Sequence, residues 1–124
     1  MARTSYDLNT VERGFARDAD FPHAPLGWSR EDANHVAAEE HLQLREEHWE
    51  LVRALQEFFA RHAEENLPIN LRELHDALDE RFHSQGGIKH LYTLLPGGPI
   101  AQGCRLAGLE APAIATDRSF GSVA

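Results

Sequence analysis

Apolar residues recur at helical spacing in five runs between Ser29 and Leu109. Ser29, with Asp32 three residues on, reads as an N-cap, and Ala33, Val36 and Ala37 follow on one face. That first helix should end near Glu40 or His41. The stripe Trp49, Val52, Leu55, Phe59, widened by Leu51 and Phe58, predicts a long helix from about Glu46 to Glu65. Glu46 and Glu47 occupy its first turn, where the helix dipole favours acids, and Asn66-Leu67-Pro68 stops it. Asn70 with Glu73 forms a second cap, opening a face of Leu71, Leu74, Leu78 and Phe82 that Gly86-Gly87 should end. A short helix takes in Ile88, Leu91, Tyr92 and Leu95 before Pro96-Gly97-Gly98. Pro99 then fits the first position of a last helix carrying Ile100, Cys104 and Leu106, closed by Gly108.

The flanks follow another pattern. Tyr6, Leu8 and Val11 suggest a short strand, Glu12-Arg13-Gly14 a turn, and Phe15 the start of a returning strand. Phe21 to Trp28 is a loop, because two prolines and a glycine interrupt any ladder. Glu110 to Ala124 is rich in Ala, Ser, Gly and Pro and reads as a flexible tail. The expected fold class is therefore α+β but mostly α: a small N-terminal β-hairpin or meander packed on an array of about five helices. The expected organisation is one domain over residues 1–109 and a tail over 110–124.

Composition narrows the function. The chain has 124 residues, enough for one domain that buries roughly two-thirds of its unfolded surface. Its net charge of −8, with Arg and Lys scattered singly beside acids as in Arg45-Glu46-Glu47, argues against direct nucleic-acid binding. No apolar run approaches the roughly 18 residues of a membrane span, and the first residues lack the apolar core of a secretory signal. One cysteine, Cys104, precludes an internal disulfide and suits a reducing compartment. A cytoplasmic protein without a membrane partner is expected.

Candidate chemistry is sparse. The helical pairs His35 with Glu39 and His75 with Asp79 do not make a zinc motif, and neither a metal nor a cofactor is expected. His48 suits a cap or a half-buried core position better than a catalytic base. The acid pairs Glu39-Glu40, Glu46-Glu47 and Glu64-Glu65 fall at helix ends or on polar faces. No nucleophile elbow or phosphate-binding glycine loop is present. Cys104 remains, with two readings open: a small apolar core residue, or a reactive thiol.

The block Leu91-Tyr92-Thr93-Leu94-Leu95-Pro96-Gly97-Gly98-Pro99, then Gln102, then Cys104-Arg105-Leu106-Ala107-Gly108-Leu109, resembles the DsrC/TusE family of sulfur-relay proteins. Glu46-Glu47-His48-Trp49-Glu50 with Val52 resembles that family's long-helix start, and Pro68, Arg72 and Leu74 match a further element with one extra residue. Trp28 and Gly14-Phe15 also fit, so the resemblance spans about Gly14 to Pro112. It implies a short β-meander on about five helices, and a role in sulfur relay. A cysteine near the chain end, on a mobile arm, carries a persulfide in that family. In one branch the arm enters dissimilatory sulfite reductase. In the other it takes sulfur from a TusBCD-like complex for tRNA 2-thiouridine synthesis. Protein partners of the TusBCD, DsrEFH or dissimilatory sulfite reductase type are thus implied.

The departures define the question. Cys104 aligns with the family's upstream cysteine, and the carrier position falls on Ala115. Asp76 stands where the family tends to have Lys, Arg45 where it tends to have Thr, and nine residues follow Ala115. Cys104 is the candidate catalytic sulfur acceptor. The alternative is a non-carrier paralogue, acting as a regulator or docking competitor of sulfur-relay partners.

Overall fold

The structure, a computed structural model, describes residues 18–112. They form five α-helices and one 3-10 turn: α1 (Arg30–Glu39), α2 (Glu46–Glu64), α3 (Leu71–Arg81), the turn His83–Gln85, α4 (Gly87–Leu94) and α5 (Pro99–Ala107). The α+β assignment is corrected. The described residues contain helices and no strand, and the hairpin drawn through Tyr6, Leu8, Val11 and Phe15 lies outside them. Three apolar residues over so short a stretch fit several backbone conformations, so that pattern was weak evidence for a strand.

Helix starts follow local chemistry. The Asp32 carboxylate accepts the Ser29 N–H at 2.9 Å before α1. Asn70 Oδ1 accepts the Glu73 N–H at 3.0 Å before α3. Gly86-Gly87 does not end α3, as the sequence suggested; α3 ends at Arg81, and the glycines open α4 instead. Gly86 has φ 121° as the residue preceding that helix, and Asp79 Oδ1 on α3 accepts the Ile88 N–H at 2.8 Å. An acid from one helix thereby caps the next.

The core gathers Leu51, Val52, Ala54 and Leu55 of α2, Leu74 and Leu78 of α3, Leu91 and Leu94 of α4, and Ile100, Leu106 and Ala107 of α5. The buried centre of α2 is therefore Leu51–Leu55, while Trp49 and Phe59 lie at its partly buried edges. The loop before α1 also enters the core. Phe21 is fully buried, with its ring edge-on to Trp28 at 5.0 Å and to Trp49 at 5.7 Å. The guanidiniums of Arg30 and Arg53 sit 4.9 and 4.8 Å from the Phe21 ring centre. Arg30 is held there by Asp18 and Asp20, and hydrogen bonding to Arg30 keeps the Asp18 carboxyl below its ordinary range.

Candidate functional site: the last helix and its sealed thiol

α5 packs against α2 on one side and α1 on another, and of its nine residues only Arg105 is exposed. Small side chains permit this. A Cβ added at Gly103 would lie 2.6 Å from Leu55 Cδ1, so glycine lets the α2 and α5 backbones approach.

Long-range side chains tie both ends of α5. At its start, Gly98 (φ 107°) precedes Pro99 at the first helical position. Gln102 Oε1 accepts the Gly97 N–H at 2.7 Å, fixing the α4–α5 turn. At its end, Trp28 Nε1 donates to the Leu106 carbonyl at 2.8 Å, and Gln56 Nε2 to the Ala107 carbonyl at 3.0 Å, both buried. Gly108 is left-handed at φ 77°, its N–H meets the Arg105 carbonyl at 3.4 Å, and the Leu109 N–H meets the Cys104 carbonyl at 2.8 Å. That pair of bonds is a Schellman close.

Cys104 sits inside this enclosure at 0% exposure. Burial pushes its thiol up to about 12, and the neighbouring Arg105 charge offsets little of that effect. The thiolate is the sulfur nucleophile, so in this conformation almost no nucleophile is available near neutral pH. Arg105 points elsewhere: its Nε and Nη2 donate to Glu40 at 2.6 and 3.0 Å. Glu40 also accepts from Gln102 Nε2 at 2.9 Å. Hydrogen bonds from Arg105 first, and then Gln102, hold the Glu40 carboxyl below its usual range against the opposing effect of burial.

His48, on α2, is a buried connector. Its Nδ1 accepts the Arg45 N–H at 3.0 Å, and its Nε2 lies 3.0 Å from the Leu94 carbonyl. Those contacts fix a neutral ring with the proton on Nε2. Desolvation is the main cause of its lowered pKa. Of the other histidine pairs read from sequence, His35 meets Glu39 at 3.3 Å on the surface, and Asp79 turns from His75 to cap α4. Among the described residues no group of three or more His, Cys, Asp or Glu side chains converges as a metal site, and no helix is long and apolar enough to cross a membrane. Glu40, Gln56 and Trp28 escaped the sequence reading as partners of α5, because their contacts span 51 to 78 residues.

These features define a class: a small helical scaffold organised around the short helix α5, with one thiol sealed within it. The chain belongs to the DsrC-like protein family, whose model matches residues 8–115. It is 38% identical over 107 residues to Sulfurtransferase TusE of Salmonella typhimurium, covering 86% of this chain and 90% of that protein. Sulfurtransferase TusE of Escherichia coli (strain K12) is 36% identical over the same shares. That of Photorhabdus laumondii is 34% identical, covering 86% of this chain and 88% of the relative. No solved structure matches the chain.

Proposed function

We propose that this protein serves sulfur relay through its helical body, docking on sulfurtransferase partners, with no carrier thiol at the arm position. The observation that carries this reading is Cys104: the one cysteine of a DsrC-like chain is fully buried, and alanine stands at position 115. Identity to proteins named sulfurtransferases over most of the chain supports the sulfur-relay setting. The Leu91–Leu109 block supports docking, because Tyr92 is half exposed while its neighbours Leu91, Leu94 and Leu95 are buried in the core. Partners of the TusBCD, DsrEFH or dissimilatory sulfite reductase type, in sulfur metabolism or tRNA 2-thiouridylation in the cytoplasm, are the finer assignment.

A second reading gives Cys104 the acceptor role after α5 loosens. The position of Cys104 within the family-matching block favours it. In that step the Cys104 thiolate takes the outer sulfur of a donor persulfide, forming a Cys104 persulfide and releasing the donor as its thiol.

Intact mass after incubation with a small-molecule persulfide, with Cys104→Ser as control, separates the two. No adduct, with binding to a TusBCD- or DsrEFH-type complex in a pull-down, is the expected result. A gain of about 32 Da, one sulfur atom, lost in the Ser variant, overturns the non-carrier reading in favour of the second. Neither adduct nor binding at micromolar concentration overturns both.

A further inference from the structure

α1 breaks a local rule. It carries Glu31 and Asp32 in its first turn, where acids are favoured, but it has no base in its last turn and ends in Glu39 and Glu40. Acids at a helix C-terminus oppose the macrodipole. Glu39 is answered locally by His35 at 3.3 Å. Glu40, the C-cap residue, is answered from the far end of the sequence. Its two carboxylate oxygens take the Arg105 fork, one of them also takes the Gln102 amide, and the other end of that amide holds the Gly97 N–H. One carboxylate thus joins the end of α1, two residues of α5 and the α4–α5 turn. Its side chain is 22% exposed, so the pair is better shielded than an ordinary surface ion pair, while Arg105 is half exposed and reachable from outside.

The rest of α5 is held by apolar packing and by the two buried carbonyl bonds from Trp28 and Gln56 at its C-terminal end. Among the described residues, the N-terminal half of α5 has only the Glu40–Gln102 arrangement as side-chain hydrogen bonding to the body.

We infer that Glu40, Gln102 and Arg105 form a latch that controls local opening of α5 and hence access to Cys104, separately from unfolding of the whole domain. A partner carboxylate that takes the exposed guanidinium of Arg105 releases the latch. The inference extends the second reading above by naming what gates the thiol, and its test uses neither a persulfide donor nor a relay partner, so the two succeed or fail independently.

Cys104 is the chain's single thiol, which makes it a self-contained reporter. The experiment is the rate at which a disulfide reagent labels the full chain under native conditions, for the parent, Glu40→Gln, Arg105→Gln and Glu57→Gln. Glu57 pairs with Arg61 and Arg81 away from α5 and serves as the control. Loss of the charge-assisted fork should raise the labelling rate about five- to tenfold in both latch variants. The rates should change little in low urea, as expected for opening of one element. The control should label within about twofold of the parent. Glu40→Arg combined with Arg105→Glu should return the rate toward that of the parent. Parent-like labelling in both latch variants overturns the inference. So does labelling that in every variant follows global stability with the full urea dependence.

Discussion

His48 makes the stability of this domain depend on pH in a defined direction. Its folded-state pKa lies below the ordinary 6.5. The unfolded chain therefore takes up a proton near pH 6.5 that the folded protein refuses. The His48 contribution is fully present above that value and is lost as the pH falls toward the folded-state pKa. The slope in that window approaches roughly 1.4 kcal/mol per pH unit. The structural reason is first the burial of the ring, which penalises its charged form; Arg45 then opposes a second positive charge, and Nδ1 must remain an acceptor for the Arg45 N–H. The assay is urea unfolding followed by the fluorescence of Trp28 and Trp49, from about pH 7.5 to about pH 5, on the parent and on His48→Gln. The lowered carboxyls of Asp18, Glu40 and Glu57 lose their contributions only below pH 4.5, outside the window. At pH 7.5 the variant should be less stable by about 1–3 kcal/mol, for loss of bonds to Arg45 and Leu94. Its stability should also fall less steeply with acid. Equal slopes in the two proteins would falsify the assignment of His48 as a neutral connector.

Other outcomes follow from the packing of α5. Trp28→Phe keeps an aromatic side chain but removes the indole N–H and strands the Leu106 carbonyl, and should lower stability by about 1–3 kcal/mol in the same denaturation assay. Gly103→Ala forces a methyl against Leu55, and the overpacking should outweigh the gain in helix propensity by about 1 kcal/mol, seen as a lower thermal midpoint. Leu55→Ala opens a cavity beneath the same contact and should cost about 2–5 kcal/mol.

Much of the helical layout was legible because it rests on short-range chemistry. Asn70 caps α3 through Glu73, Pro99 opens α5 and Gly108 closes it, all within a few residues. The predicted span of the long helix matched α2 to within a residue, although its buried centre lay at Leu51–Leu55. Gly86-Gly87 misled, because a glycine pair serves equally to stop one helix or to start another; Asp79 decides between them from α3. The family block around Leu91–Leu109 pointed to α5 and the turn before it, and Gln102 was visible within it. The state of Cys104 was not legible. Its burial follows from Gly103 meeting Leu55, and from Trp28 and Gln56 reaching the helix end, contacts that no local pattern encodes.

The ties on α5 also set an order for building the molecule. Trp28 waits 78 residues for its acceptor, and Gln56 waits 51. During synthesis α1 and α2 leave the ribosome long before the helix that lies between them. Until then Leu51 and Leu55 lack the α5 partners that later cover them. Closing such distant contacts late is entropically slow and leaves apolar surface open to aggregation. A product broken off before Pro99 would keep most of the sequence and lose the piece that joins α1 to α2.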